Sequence, residues 1–418
     1  MDNDYTELEI LARETPVSSD LKVSVVIPTF NRAEKLRRLL ATLKHQTFPL
    51  ERVEVIVADD GSSDGTCDVI VEVADQLDIR HVWQPNRGHR LAQVCNLGLR
   101  TARHDRIIML QSDMLPGPAL IQSYMRWLQL DYPLLLIGGR VFVTTDDFAA
   151  AALRADSGFE KRLPRIRTNN KMWTAYPACQ VEDWREALYR QNDGLKKERW
   201  PFRAVVGSNL AFHRRLLDNI GGFDEEFQSW GGEDGEFGYR AFNAGYFFVP
   251  VREAIAYHQE PPHGENETDR LTGFQQSKLL RSKKCALPPF RTKNADGKDA
   301  GWTSAVATAQ FDEVGLPSSS AVEINDFATR QMAPYILLSS RSVDAQLVDA
   351  IREEFFVLGT SIVIRSAATD DSAPQYIAFS RRTWARIGGF KTEPCSLQTL
   401  SSELEHVCHV RELHTDRS

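Results

Sequence analysis

The apolar positions of this chain follow two alternating rhythms. Val23-Ser24-Val25-Val26-Ile27 is a nearly unbroken β-branched run, the pattern of a strand buried on both faces of a parallel sheet, and Pro28 is expected to stop it. Asn31 and Glu34 read as a capping box for a helix whose Leu36, Leu39, Leu40 and Leu43 form one stripe. The alternation continues with a strand from Val53 to Ala58, a helix with Val69, Ile70, Val73 and Leu77 on one face, and a strand at His81-Val82-Trp83. A helix from Ala92 to Ala102 and a strand from Ile107 to Leu110 complete it. Strands and helices alternating in this way predict a doubly wound α/β sheet. Such sheets bind ligands at the carboxyl ends of their strands, where Asp59-Asp60 and Ser112-Asp113 both fall.

Residues 1–21 read as a short helix or loose arm. Between 140 and 203 the rhythm weakens and polar residues mix with Trp173, Trp184 and Trp200, as in an excursion over the mouth of a site. Strand character returns from Ala204 to Phe212, a helix is expected from Glu236 to Asn243, and Tyr246 to Val249 reads as a strand after Gly245. Another helix is expected over Gln275 to Arg281. The polar run at 293–301 is a linker candidate, which leaves a main domain over 22–292.

Residues 302–418 look like a worn, partial copy of that domain. Asn96 to Leu110 lines up with Asn325 to Leu338, and Leu210-Ala211-Phe212-His213-Arg214-Arg215 with Ile377-Ala378-Phe379-Ser380-Arg381-Arg382. Ile220-Gly221-Gly222-Phe223 recurs as Ile387-Gly388-Gly389-Phe390, yet Asp113 falls opposite Arg341, and no counterpart of Trp230-Gly231-Gly232-Glu233-Asp234 follows. A piece that keeps packing residues and drops chemical ones is expected to be non-catalytic. It is also a candidate surface for homo-oligomer formation.

Composition narrows the function classes. At 418 residues the chain exceeds one ordinary core. A net charge of −7 argues against a nucleic-acid binder. The acidic start has no apolar leader, no run of 18 apolar residues suggests a membrane span, and six scattered cysteines lack metal-site or disulfide spacing. A reduced, cytoplasmic protein is the expectation.

The densest chemistry lies between Gly207 and His258. Trp230 and two glycines directly precede the paired carboxylates Glu233 and Asp234, which are costly to bury without partners and fall at a predicted helix N-terminus. With Val25 to Arg32, the Asp59 to Thr66 run, Gly88-His89-Arg90-Leu91-Ala92 and the Ser112-Asp113-Met114 turn, this stretch resembles the family 2 glycosyltransferases of GT-A fold. That is a Rossmann-like nucleotide-diphospho-sugar transferase domain, here with a smaller degenerate α/β region behind it. Tyr257-His258-Gln259-Glu260-Pro261-Pro262 and Glu265 to Arg270 add a likeness to the sugar-transferring domains of bacterial chondroitin and hyaluronan polymerases.

The resemblance implies roles. Pro28, Thr29, Asn31, Arg32, Asp60, Gly61, Arg90, Gln111 and Ser112 would surround the nucleotide-sugar donor, with Asp60 on the base. A carboxylate suits uracil, whose N3–H is a donor, so a UDP-sugar is expected. Asp113 and His258 would hold Mn2+ or Mg2+. Gln111 departs from the pattern, because it stands where the family carries the first acid of its metal motif. Asp234 would be the base of an inverting transfer, with Trp230 and Glu233 on the acceptor, which is a glycan, a natural product or a peptide. The alternative is a catalytically inactive nucleotide-sugar-binding or scaffold protein.

Overall fold

The computed structural model of the protein describes residues 3–145, 148–164, 183–259 and 270–285. Beyond these it describes 306–310, 334–339, 347–348, 350–351, 362–366, 376–387, 400 and 409–413. The chain divides into two compact units, one of Asn3–Gly238 with Phe247–Lys278, the other including Tyr239–Tyr246 and Leu279–Ser418. The expected linker, Trp173, Arg341 and the second Gly-Gly-Phe lie outside the described residues.

In the first unit eight described strands form one sheet. They are β1 (Val23–Thr29), β2 (Val53–Asp59), β3 (Asp78–Trp83), β4 (Arg106–Leu110), β5 (Met114–Pro116), β6 (Leu134–Phe142), β7 (Asn209–His213) and β8 (Phe247–His258). Their order is β3-β2-β1-β4-β7-β6-β8-β5. The first four run parallel, β7 lies antiparallel between β4 and β6, β8 is parallel to β6, and β5 closes antiparallel on β8. Every residue of β1 and β2 is buried, as their β-branched runs require.

Helix α1 (Thr6–Glu14) precedes three that follow their stripes, and α5 (Leu120–Leu128), α6 (Ala150–Ala155), α7 (Trp184–Gln191) and α8 (Arg215–Ile220) come after them. Leu36, Leu39, Leu40 and Leu43 of α2 (Ala33–Leu43) are fully buried, each stabilising the fold by about 1.5–3 kcal/mol relative to exposure. Helix α3 (Thr66–Val71) is shorter than its stripe, although Val73 and Leu77 stay buried in the turns beyond it. Helix α4 (Leu91–Thr101) packs so tightly that a Cβ at Gly98 would stand 2.5 Å from Val26 Cγ1 and 3.0 Å from Ala58 Cβ. The N-terminal residues are not loose: before a helix at Thr6–Glu14, the buried amide of Asn3 donates to the carbonyls of Leu195 and Phe248. Tyr5 and Leu8 join the core. Leu153, Phe159 and Leu163, from the stretch read as an excursion, do so too.

Two local expectations are corrected. Pro28 does not stop β1; it pairs with Ala58 inside the strand. The described β1–β4 pairing covers Ser24 to Val26, so a missing N–H at Pro28 interrupts no pair on that side. Asn31 and Glu34 form no capping box. Asn31 takes a left-handed φ of 47°, tolerable for asparagine, and the first N–H of α2, from Ala33, goes to Asp64 Oδ2 at 2.8 Å.

In the second unit the described strands β9 (Val306–Gln310), β10 (Tyr335–Ser339), β11 (Ile362–Ser366), β12 (Tyr376–Ser380) and β13 (His409–Leu413) form another sheet. Read from β9 its order is β9-β10-β12-β11-β13, with β9–β10 and β11–β13 parallel and both β12 pairings antiparallel. This is the order and direction of β1-β4-β7-β6-β8. A further detail recurs: Arg214 N–H donates to the Asp105 carbonyl at 2.7 Å, and Arg381 N–H to that of Pro334 at 2.8 Å. Strand pairing corrects the sequence alignment by one residue. Leu338 pairs with Ile377 as Met109 pairs with Leu210, so Leu338 corresponds to Met109 and not to Leu110. Among the described residues no helix is long and apolar enough to cross a membrane.

Candidate active site

The carboxyl ends of β1, β2 and β3 are tied to one another by backbone and side-chain bonds. Asp60 N–H donates to the Thr29 carbonyl at 3.0 Å, and Gln84 N–H to the Asp59 carbonyl at 3.0 Å. Thr29 is buried. Asn31 acts here as a clamp between loops, its N–H on Ser62 Oγ at 2.9 Å and its Oδ1 accepting from Ser63 N–H at 2.8 Å. Gly61 is required where it stands: φ is +85°, and a Cβ would lie 2.3 Å from the Asn86 nitrogen.

Asp59 and Asp60 divide the work of that rim. Burial would raise the Asp59 carboxyl, but bonds from His81 and Ser62 outweigh it and leave its pKa below the ordinary value. Asp60 accepts on Oδ1 from Gln84 Nε2 at 2.7 Å and from Arg90 Nη2 at 3.2 Å. Arg90 is further held by Gln93 Oε1 at 3.0 Å and by the Pro85 carbonyl.

The turn after β4 brings the metal candidates together. Ser112 N–H donates to the Pro28 carbonyl at 3.3 Å, which keeps this turn against the end of β1. Residues Met114 and His258 pair across β5 and β8, which sets the imidazole beside Asp113. His258 Nε2 stands 3.4 Å from Asp113 Oδ2, and Arg32 makes an ion pair with the same oxygen. The other imidazole nitrogen, Nδ1, is buried with no hydrogen-bond partner among the described residues. A carboxylate and an imidazole converge here as an oxygen and a nitrogen donor that could hold a divalent cation, with the Arg32 guanidinium on the carboxylate oxygen that such an ion would have to share or take over. Among the described residues no third His, Cys, Asp or Glu completes a site. Gln111 is fixed through its backbone, its N–H on the Ser208 carbonyl at 3.1 Å.

That last bond leads to the acids of α9 (Glu233–Asn243), because Ser208 follows Gly207. Gly207 N–H donates to Asp234 Oδ2 at 3.2 Å, and Gly235 N–H to Oδ1 at 2.6 Å. Glu233 is buried in the same first turn. The glycines before it turn the chain, at φ of +82° for Gly231 and +104° for Gly232. Asp60 and Glu233 flank one helix: the Cys95 thiol of α4 is pushed well up by burial, then by the charges of Glu233 and Asp60.

Helix α10 (Arg270–Lys284) supports the Trp230 loop. Ser229 Oγ bonds Ser277 Oγ at 2.8 Å, and Phe274 sets its ring 6.0 Å from that of Trp230 while remaining 42% exposed. Gln84 and Phe274 stand outside every motif of the sequence. Gln84 has one signal, its place directly after a strand; Phe274 has none. A buried cluster farther along β6 was also missed. Asp183 accepts from Arg140 Nε at 3.0 Å and Arg185 Nη2 at 2.7 Å; burial opposes its charge, but the two arginines hold its carboxyl far below the ordinary range. Arg140 also lies over the Phe142 ring at 4.9 Å, and Phe142 packs 5.3 Å from His258.

Two protein families and several known proteins match parts of this chain. The family described as glycosyl transferase family 2 matches residues 24–221, and that described as the N-terminal domain of galactosyltransferase matches 194–263. The chondroitin synthase of Escherichia coli is 40% identical over 277 residues, 65% of this chain and 40% of that protein. The validoxylamine A glucosyltransferase of Streptomyces hygroscopicus subsp. jinggangensis is 32% identical over 251 residues, 58% of this chain and 56% of that protein. Residues 1–349 of S. aureus TarS, solved in complex with UDP, align at a TM-score of 0.44 and 18% identity, over 63% of this chain and 64% of that one. The chain thus spans about half or less of the length of these two curated relatives. Together with the order and direction of its strands, the match over residues 24–221 identifies this part of the chain as a family 2 glycosyltransferase domain of GT-A fold.

Proposed function

We propose that this chain transfers a sugar from a nucleotide sugar, a UDP-sugar, to an acceptor nucleophile with inversion. The observation that carries the reading is one continuous rim: Asp60 at β2, Asp113 with His258 after β4, and Asp234 reached through Gln111, Ser208 and Gly207. Asp60 offers an acceptor to the N3–H of uracil, while Thr29, Arg32 and Arg90 line the ends of β1 and α4 where ribose and phosphates would lie.

Asp234 removes the proton of an acceptor hydroxyl as that oxygen attacks the anomeric carbon. The bond to diphosphate breaks on the opposite face, and its electron pair leaves on the phosphate oxygen. One base suffices, and no sugar becomes attached to the protein. Asp113 and His258 would hold Mn2+ or Mg2+, which supplies positive charge against the departing diphosphate. Trp230 and Glu233 orient the acceptor. Its class is a glycan, a natural product or a peptide; the relatives' names, one a chondroitin synthase and one a validoxylamine A glucosyltransferase, favour the first two. A screen of nucleotide sugars for release of nucleoside diphosphate tests the reading. Turnover above background with one donor, lost in Asp234→Asn, is expected; no release from any donor with any acceptor would overturn it.

We further propose that residues 302–418 are a partial, non-catalytic copy of this domain. The shared strand order and direction support it. Its sheet, as described, ends at β9, where the first unit adds β2 and β3 with Asp60 and Gln84. One nucleotide bound per chain is the expected stoichiometry, and two would refute it.

A further inference from the structure

The carboxylate assigned to the nucleobase is held by a residue outside every motif that points to it. Gln84 follows the last residue of β3, its backbone pinned by the 3.0 Å bond to the Asp59 carbonyl. From there its amide donates to Asp60 Oδ1 at 2.7 Å, the same oxygen that Arg90 Nη2 reaches at 3.2 Å. Nothing among the described residues donates to Oδ2. Asp60 is 6% exposed, so its orientation is set by these neighbours more than by solvent.

We infer that Gln84 is a positioning residue that sets preference for uridine over cytidine nucleotides, a deepening that rests on the function proposed above. Two donors on Oδ1 fix the plane of the carboxylate and leave Oδ2 as a directed acceptor. Uracil presents an N–H at ring position 3 and gains a charge-assisted bond there. Cytosine presents a lone pair at the same position, so carboxylate and base each lack a donor, and a buried acceptor without one is costly. Without Gln84 the carboxylate pivots about its Arg90 bond, and the uridine advantage shrinks.

The test measures UDP and CDP dissociation constants by calorimetry with Mg2+ present, on the full-length chain. Gln84→Met keeps the length of the side chain and removes its donor. UDP binding is expected to weaken about tenfold, the worth of a bond to a charged group, with CDP binding changed less than about twofold. The UDP-to-CDP ratio therefore falls about tenfold. Gln84→Glu, isosteric but acidic, sets a like charge against Asp60 and promotes sharing of a proton that a cytosine lone pair can accept. The ratio should narrow further. An unchanged ratio in both variants, or equal loss of UDP and CDP, would overturn the inference while leaving the function intact. A wild-type protein that binds neither nucleotide would overturn the function as well.

Discussion

Gly207 donates its backbone N–H to Asp234 Oδ2 at 3.2 Å, joining the approach to β7 with the first turn of α9. The second oxygen is bonded by Gly235 N–H at 2.6 Å. The carboxylate is thus aimed by backbone on both sides. Asp234→Asn should retain the fold, because the amide oxygen can still accept one of these bonds. It should leave UDP binding near wild type and lower the transfer rate by about 10²–10⁴-fold, the usual worth of a placed base. Transfer within about threefold of wild type, where chemistry limits the rate, would remove Asp234 from the mechanism.

Asp113 and His258 meet at 3.4 Å on an oxygen that also engages Arg32. Removing either ligand should raise the Mn2+ or Mg2+ concentration needed for half-maximal transfer by at least about tenfold, in line with the effects of altering such sites. Chelator should silence the wild-type protein, and returning the ion should restore it. Full activity in protein shown to be metal-free would end the assignment for both residues.

Trp230 and Phe274 present neighbouring rings, one from the glycine-rich loop and one from α10. An exposed Phe274 ring beside a half-buried Trp230 fits an apolar face of an acceptor better than a core. Phe274→Ala should raise the acceptor KM several-fold while donor hydrolysis in the absence of acceptor stays unchanged. Initial rates against acceptor concentration decide the matter, and an equal fall in both reactions would count against the platform.

Glu54 has a fully buried side chain at the opposite end of the sheet and accepts from Ser24 Oγ at 2.6 Å, from Arg103 N–H at 2.9 Å and from the guanidinium of Arg80. Burial works against its charge, but these bonds together leave its pKa below the ordinary value. A carboxylate with a depressed folded pKa stabilises the protein above its unfolded pKa of about 4.3, and that stability is lost as pH falls through the folded value. Glu54→Gln should cost about 1–3 kcal/mol at neutral pH, because the buried acceptor loses its charge while Arg80 and Arg103 keep part of their side chains in solvent. The loss should diminish at acidic pH. Denaturant melts at pH 7 and over a series down to about pH 2 would show it, and equal losses across that range would contradict it.

Much of this was legible in the sequence because it is local. A strand buried on both faces must read as a β-branched run, and a helix on a sheet must carry its leucines three and four apart, so β1, β2, α2 and α4 stood in the pattern of apolar residues. The places of Asp60, Asp113 and Asp234 were legible through their neighbours, since turns at strand ends and paired acids at a helix start are written in consecutive residues; their proposed roles, and that of His258, came from the resemblance. The apolar rhythm of residues 302–418 pointed to the copy proposed above, with Leu338 one residue out of the register that the pairing gives.

Tertiary structure decided what depends on distant parts of the chain. No local signal says that Asp64 and not Asn31 would serve the start of α2, or that Asn31 would bridge two loops. Proline within a strand reads as a stop until the pairing shows that its missing donor faces no partner in the described ladder. Gln84 and Phe274 are ordinary residues whose meaning comes from contact with Asp60 and Trp230. Side-chain periodicity fixes which face of an element is buried. Hydrogen bonds between elements far apart in sequence depend on distances that only the folded chain sets, and those bonds aim the carboxylates of this site.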